Sequence, residues 1–200
     1  MVRVCEIADV TSIVRPPQNH AETIMRFMDS GAQGIQVPRV NTAAEARAAV
    51  DAVKYFPMGK RGITSSSRSV KYGFGVSIPE SVRISNEETL VCLMIEELEA
   101  VQNLDEILKV PGVDVLFVGG GDLAQTMGFP GNKNAPEVQV VVRETIARII
   151  AAGGVPGYAC EQETKEFATL GVRYFHTVMT PLMKFAAREY WKLVGEQRVK

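Results

Sequence analysis

The stretch LVCLMIEELEAVQNLDEILKVPGVDVLFVGGGD, residues 90–122, contains two short apolar runs separated by an amphipathic segment. Leu90 to Ile95 and Val113 to Val118 are almost continuously apolar, which is typical of strands that are buried on both faces of a sheet. The residues between them, Leu98 to Lys109, predict a helix. A strand, a helix and a strand in this order predict a βαβ unit in a parallel sheet.

The same alternation continues over the whole chain and predicts an α/β fold with six strands. The strands are expected at residues 11–14, 34–40, 90–95, 113–118, 155–159 and 173–178. The helices are expected at residues 2–9, 21–30, 42–55, 98–109, 136–152, 161–170 and 181–194. Thr42 and Glu45 have the spacing of a capping box at the start of the third helix. The Gly-, Ser- and base-rich residues 56–85 are predicted to be irregular, and so long a loop is usually functional or mobile.

Six strand-helix units are fewer than the eight of a closed TIM barrel, which has typically about 250 residues. Because the chain opens inside a predicted helix, the simplest expectation is that a β-α-β piece precedes Met1. An open, doubly wound sheet is the alternative, and it has no deficit of strands. A length of 200 residues is suited to a single domain, which we expect to cover residues 1–200.

Charge and cysteine content exclude several classes of partner. The chain has 22 basic and 23 acidic residues, so its net charge attracts neither nucleic acid nor an anionic membrane. Its ligand is therefore expected to be small. Three widely spaced cysteines, Cys5, Cys92 and Cys160, are typical of reduced thiols. Without a signal peptide or an apolar run of about 20 residues, the sequence predicts a cytoplasmic protein.

Polar residues that end the predicted strands are the candidates for a site, because ligands bind beyond the carboxyl ends of parallel strands. Glu96 and Asp122 end consecutive strands, and two converging carboxylates favour a divalent cation such as Mg²⁺ or Mn²⁺ between them. Such an ion would keep coordination positions open for Lewis-acid catalysis. Alternatively, Asp122 caps a short helix at Leu123, and Glu96 is a cap or an exposed loop carboxylate.

Arginine and lysine side chains supply candidate contacts for an anionic substrate. Arg15, which ends the first strand, is placed to neutralise a substrate anion or an enolate oxygen. A structural salt bridge is the equally open alternative for this residue. Arg61, Arg68 and Lys71 in the long loop are second-rank candidates for holding a distal acidic group, since most loop charges are simply solvated.

Two histidines are the remaining candidates. His20 lies just past the first strand, at the correct end for a general base, although a histidine that enters a helix usually has no catalytic role. His176 lies within the last strand. Its phase in the alternation is open, so both the core and a pocket remain as its location.

Several segments together resemble consecutive landmarks of the HpcH/HpaI aldolase/citrate lyase family, in order and with the family's spacing over nearly the whole chain. They are DSGAQGIQVPRVNT (29–42), EARAAV (45–50), KRG (60–62), MIE (94–96), GVDVLFVGGGDLA (112–124), MGFPGN (127–132) and PEVQ (136–139).

The resemblance implies a TIM-barrel (β/α)8 aldolase of class II, which cleaves a 4-hydroxy-2-keto acid to pyruvate and an aldehyde. It assigns Glu96 and Asp122 to a divalent metal ion, Mg²⁺ or Mn²⁺ with Co²⁺ as a further candidate. It assigns Arg15 to the pyruvate keto oxygen, and the backbone of Gly120, Gly121 and Asp122 to the pyruvate carboxylate. The ion would polarise the keto group and stabilise a pyruvate enolate.

The resemblance also implies a homo-oligomer, commonly a hexamer, in which the apolar last helix packs on a neighbouring subunit. This chain departs from the family pattern at Met94, where glutamine is usual, and at Gly120, where proline is usual. The family's Asp-x-Glu-His segment would precede Met1. A non-catalytic homologue that acts as a subunit, and a related lyase acting on a CoA thioester, are therefore the alternatives.

Overall fold

A computed structural model describes residues 1–160 and 163–195 of the chain, and its six strands form one parallel sheet. The strands are β1 (Ile13–Val14), β2 (Gly34–Val37), β3 (Leu90–Ile95), β4 (Val115–Val118), β5 (Pro156–Ala159) and β6 (Tyr174–His176). Each strand pairs with the one that precedes it in the chain, so the order is β1-β2-β3-β4-β5-β6. A doubly wound sheet reverses its strand order at a switch point. The doubly wound alternative is therefore wrong for the described strands.

Helices alternate with these strands, as the sequence predicts. They are α1 (Val2–Ile7), α2 (Ala21–Asp29), α3 (Ala43–Val53), α4 (Ile78–Glu88), α5 (Leu98–Gln102), α6 (Leu104–Ile107), α7 (Gly120–Thr126), α8 (Pro136–Ala151), α9 (Thr164–Leu170) and α10 (Met179–Val194). The capping box is confirmed. The Thr42 hydroxyl accepts the Glu45 N–H at 3.2 Å, and the Glu45 carboxylate accepts the Thr42 N–H at 3.0 Å.

The sheet is curled, as contacts between side chains of distant strands on its inner face show. The Tyr174 hydroxyl of β6 donates a hydrogen bond to Oε1 of Gln36 in β2, at 3.0 Å. Cys92, Met94 and Phe117 form a buried apolar cluster on the same inner face, against which Tyr174 packs. The alternate residues of the strands point outward into a larger core shared with the helices. The result is a curled half-barrel that is apolar on both faces.

The prediction that residues 56–85 are irregular is wrong in part. Helix α4 begins within this range, with Ser77 as its N-cap accepting the Glu80 N–H and with Pro79 in the first turn. A short 3₁₀ segment also covers Arg68–Gly73, with a kink inside it. The Ser-x-x-Glu signature at residues 77–80 is a helix start that the surrounding glycines and bases obscure.

The helix predicted over residues 98–109 is two short helices that meet at Asn103. The Asn103 side chain donates to the Asn41 carbonyl oxygen at 2.9 Å, which ties this break to the loop after β2. The helix predicted at residues 161–170 is observed from Thr164, and positions 161 and 162 lie outside the described residues. No helix in the described part of the chain is long and apolar enough to cross a bilayer.

Candidate active site

The candidate site lies at the carboxyl ends of the strands, where the structure brings together the three side chains that were predicted for it. Glu96 directly follows β3, Asp122 lies in the first turn of α7 after β4, and Arg15 directly follows β1. All strands are parallel, so these three residues share one end of the sheet. Asp122 and Arg15 both lie near enough to Glu96 to influence its protonation.

Glu96 is a buried carboxylate with an incomplete set of partners. Its residue is 1% exposed, and Oε1 accepts a hydrogen bond from the backbone N–H of Arg39 at 2.9 Å. Oε2 is buried and has no hydrogen-bond partner among the described residues. Burial raises the pKa of this carboxyl, and the Asp122 charge raises it further. The Arg39 N–H and the positive charge of Arg15 oppose that rise in the pKa. A buried acceptor without a donor is a costly arrangement that favours occupation by a cation.

Gly119 is required by the close approach of β4 to Glu96. The register pairs Ile95 with Val118, so Glu96 stands opposite Gly119. A Cβ atom at residue 119 would lie 2.5 Å from the Glu96 Cβ and 3.0 Å from its Oε2. Any larger residue would push the carboxylate out of its position.

The segment after Gly119 runs from the buried part of the site to its exposed edge. Gly120 is buried against Tyr158, where a Cβ atom would lie 3.0 Å from the phenol oxygen. Gly121 faces open space, and Asp122 is exposed. Helix α7 already begins at Gly120 with Gly119 as its N-cap, so the alternative in which Asp122 caps a helix at Leu123 is wrong.

The loop after β2 fixes Glu96 from the other side, and this part of the site was missed in the sequence. Arg39 has a φ of +52°, a left-handed conformation that side-chain-bearing residues seldom adopt. In that conformation its N–H reaches Glu96, while its guanidinium lies 3.6 Å from Glu97. Asn41 donates to the same Glu97 carboxylate at 2.7 Å. Pro38 directly after a strand indicates a turn here, but it does not indicate the positive φ at Arg39.

The residues at this site fit a hard divalent cation. Glu96 offers a buried carboxylate oxygen without a donor, and Asp122 offers an exposed carboxylate beside it. In residues 1–160 and 163–195 there is no group of three or more His, Cys, Asp or Glu that could hold a metal ion. Two protein carboxylates suit Mg²⁺ or Mn²⁺, since these ions usually keep waters or substrate oxygens as further ligands.

The second-rank arginines lie away from these carboxylates. The Arg61 side chain is fully buried, pairs with Asp29 at 2.6 Å and stacks over the Tyr55 ring at 4.6 Å. Asp29 ends the helix that precedes β2, so this ion pair is at the opposite end of the sheet. Arg68 forms an ion pair with Glu6. Both arginines are thus engaged in structural ion pairs.

The two histidines differ in their surroundings. His20 is the N-cap residue of α2, and its exposed ring lies 3.1 Å from the Glu22 carboxylate. His176 is half-buried in β6, and its ring centroid lies 5.7 Å from that of Phe117 on the inner face of the sheet. The structure therefore resolves the phase of His176, which faces the hollow of the half-barrel.

Comparison with known proteins identifies relatives of this chain. The family model described as HpcH/HpaI aldolase/citrate lyase matches residues 3–168. A pyruvate aldolase of Rhizobium etli is 38% identical over 156 residues, which cover 78% of this chain and 60% of that protein. A 4-hydroxy-2-oxo-heptane-1,7-dioate aldolase of Shigella sonnei is 38% identical over 189 residues, covering 92% of this chain and 71% of that one. The chain thus spans only part of the length of these relatives.

A solved structure supports the same relationship at the level of the fold. The HpcH/HpaI aldolase from Desulfitobacterium hafniense superposes with a TM-score of 0.85 and is 28% identical. The match covers all of this chain and 78% of that one.

Proposed function

The chain belongs to the HpcH/HpaI aldolase/citrate lyase family, and from this membership we propose that it is a metal-dependent carbon-carbon lyase. Its substrate is a 4-hydroxy-2-keto acid, which it cleaves to pyruvate and an aldehyde. The observation that carries the proposal is the buried Glu96 carboxylate, whose Oε2 has no donor among the described residues and which lies beside Asp122.

Glu96 and Asp122 would hold the divalent ion, Mg²⁺ or Mn²⁺ with Co²⁺ as a further candidate. The bound ion would supply Lewis acidity to the 2-keto oxygen of the substrate. Gly119 and the Arg39 N–H hold the Glu96 carboxylate in place for this purpose. The two carboxylates would neutralise such an ion and leave coordination positions open for the substrate.

The remaining residues of the site act on the substrate. In the cleavage, the C4 hydroxyl loses its proton to water and becomes the aldehyde carbonyl as the C3–C4 bond breaks. The electron pair of that bond forms the C2–C3 double bond of the enolate, and the π pair of the keto group moves onto its oxygen. Arg15 neutralises the negative charge that develops on that oxygen, since a guanidinium stays protonated. The backbone N–H groups of Gly120, Gly121 and Asp122 are proposed to bind the carboxylate of pyruvate. Protonation of C3 then yields the methyl group of pyruvate.

The experiment that tests this proposal is hydrogen-deuterium exchange at the methyl group of pyruvate, followed by NMR. Exchange is expected to require both the protein and Mg²⁺ or Mn²⁺, and to stop when a chelator is added. Glu96→Gln and Asp122→Asn are expected to lower the exchange rate at least a hundredfold. Glu99→Gln, which changes an exposed carboxylate three residues away, is the matched control and should exchange like the wild type. Metal-independent exchange, or full exchange in Glu96→Gln, would contradict the proposal.

We further propose that the chain self-associates through α10. None of the residues of this helix is buried, yet it carries many large apolar side chains. They are Met179, Leu182, Met183, Phe185, Tyr190, Trp191, Leu193 and Val194. So large an apolar surface is typical of an interface. Light scattering after size exclusion should show an oligomer, and Phe185→Glu with Trp191→Glu should dissociate it.

A further inference from the structure

Four inward-facing positions form one row across the sheet at the height of Glu96. The register pairs Ile95 with Val118, Val118 with Tyr158, and Ala159 with His176. One residue beyond the first two of these pairs, Glu96 stands opposite Gly119 and Gly119 stands opposite Ala159. The row therefore runs from Glu96 through Gly119 and Ala159 to His176. The first contact of the row is confirmed by the closeness of Gly119 to the Glu96 side chain.

The imidazole at the end of this row points into the hollow of the half-barrel. The His176 ring lies tilted against Phe117, whose side chain belongs to the inner apolar cluster. Its neighbour in the chain, Phe175, points the other way and is 39% exposed. Tyr174 returns to the inner face, where its ring packs edge-on against Phe117. This alternation fixes the direction of His176.

The two middle positions of the row leave the space between its ends open. Gly119 has no side chain, and Ala159 carries only a methyl group. Adjacent strands lie about 4.8 Å apart, so Glu96 and His176 are roughly 14 Å apart along the sheet and closer across its concave face. Under the proposed function, pyruvate occupies the Glu96 end. His176 is then too distant for those three carbons and faces the remainder of the substrate.

We propose that His176 is a specificity-determining residue, which hydrogen-bonds an oxygen substituent on the half of the substrate that leaves as the aldehyde. This inference rests on the proposed function and adds the substrate class: aldehydes that carry a hydroxyl or a carboxylate beside the carbonyl group, rather than alkyl aldehydes.

The chemistry of the neighbouring side chains supports this assignment. Phe117 has no polar atom, and the Tyr174 hydroxyl already donates to Gln36. Among these three inward side chains, His176 is the one that offers a hydrogen-bonding group to a ligand, and imidazole can donate or accept. The ammonium of Lys133 donates to the Ala159 carbonyl oxygen at 3.2 Å and lies 6.0 Å from the centre of the outward-facing Tyr158 ring. Its positive charge is therefore at the end of β5, and at that distance it favours a carboxylate substituent as well as a hydroxyl.

The test compares aldehydes of similar size in the aldol addition of pyruvate. Glycolaldehyde and propanal differ by a hydroxyl in place of a methyl group, and glyoxylate supplies the carboxylate. The wild type should prefer the two oxygen-bearing aldehydes to propanal in kcat/KM. His176→Leu should lower that preference about tenfold, mainly through the KM for the aldehyde, because one hydrogen bond to the substrate is lost. His176→Asn, which keeps a donor and an acceptor, should restore part of it, and His20→Asn should leave it unchanged.

Two further measurements keep this inference separate from the proposed function. Exchange at the pyruvate methyl group reports the proposed function alone, and the addition rates of each variant are divided by its own exchange rate. The chain has only two histidines, so their ring signals are readily assigned by NMR. Addition of the aldol product of pyruvate and glycolaldehyde should shift the His176 ring and leave His20 unmoved, even in a protein that fails the exchange test.

The inference is overturned by either of two results. One is an unchanged aldehyde preference in a His176→Leu protein whose thermal unfolding matches that of the wild type. The other is a His176 ring signal that does not respond to the aldol product.

Discussion

Two buried charges stand at opposite ends of the sheet, and they differ in whether an opposite charge pairs with them. Arg61, before the strands begin, has a fully buried side chain that pairs with Asp29 at 2.6 Å, hydrogen-bonds Ser69 and stacks on Tyr55, although its Nε and Nη1 have no partner among the described residues. Glu96, where a strand ends, receives one backbone N–H and keeps one oxygen without a donor among the described residues.

The difference separates stability from function. A buried charge costs several kcal/mol unless an opposite charge and hydrogen bonds compensate it. At Arg61 the chain itself supplies the opposite charge, through the Asp29 carboxylate, as expected at the end of a barrel that serves stability. At Glu96 no side chain of opposite charge among the described residues pairs directly with the carboxylate, which leaves an attraction for a cation. Substitutions at the two ends should therefore change stability in opposite directions.

The largest effect is expected at the paired end. Asp29→Ala leaves the Arg61 guanidinium buried without its carboxylate and should lower the free energy of unfolding by about 3 kcal/mol. Urea denaturation measures this change. The double variant Asp29→Ala with Arg61→Met removes both charges and should recover at least half of the loss. A single variant as stable as the wild type would show that this pair does not compensate the burial of Arg61.

The next largest effect on stability is expected at Tyr174, whose hydroxyl pairs with the uncharged Gln36 on the inner face of the sheet. Burial, with a smaller contribution from Cys92, raises the pKa of Tyr174 to about 12, from an ordinary value of 10.0. Between pH 10 and about pH 12, the folded state therefore keeps the phenol proton that the unfolded state has lost. The stability from this group is fully present below pH 10 and is lost as the pH rises toward 12, by about 2 kcal/mol. Tyr174→Phe should remove this part of the alkaline loss, as measured by denaturation at pH 9 and pH 11.5. Parallel curves for the two proteins would contradict the prediction.

A smaller effect of opposite sign is expected at the unpaired end. Glu96→Gln keeps the acceptor for the Arg39 N–H but removes the buried charge and its repulsion from Asp122. Without metal, this variant should be more stable than the wild type by about 1 to 2 kcal/mol. Addition of Mn²⁺ should raise the melting temperature of the wild type and not that of the variant. If Glu96→Gln destabilises the metal-free protein, the contrast between the two ends fails.

The smallest effect on stability is expected at an exposed ion pair, which is the counterpart of the buried pair of Arg61 and Asp29. Lys60 pairs with Asp51 at 2.7 Å, but its side chain is 82% exposed. Lys60→Ala should cost only about 0.5 kcal/mol, because solvent screens such pairs. Denaturation under the conditions used for Asp29→Ala tests whether burial, rather than pairing itself, decides the cost.

Periodicity was sufficient to locate all six strands, because strands buried on both faces are short apolar runs between polar boundaries. It missed α4, whose polar residues lie among glycines, serines and bases, and it did not separate α5 from α6. The separation depends on the bond from Asn103 to the Asn41 carbonyl, a tertiary contact that local pattern does not encode.

The candidate site was predictable where it depends on strand ends and not where it depends on backbone conformation. Glu96, Asp122 and Arg15 follow from their places after apolar runs, and their roles remain predictions. The Arg39 N–H contact requires a positive φ at a non-glycine residue, which sequence alone does not indicate. The burial of Arg61 was also missed, because a basic residue in a Gly- and Ser-rich loop is usually solvated.

The unbroken strand order has a consequence for how the chain is made. Each strand pairs with the one synthesised just before it, so every new strand and helix has a docking surface ready when it leaves the ribosome. A doubly wound sheet would have to wait for a later strand to complete its centre. We therefore expect this sheet to grow strand by strand during synthesis, so that protection against protease in stalled nascent chains advances one strand-helix unit at a time, from β2 to β5.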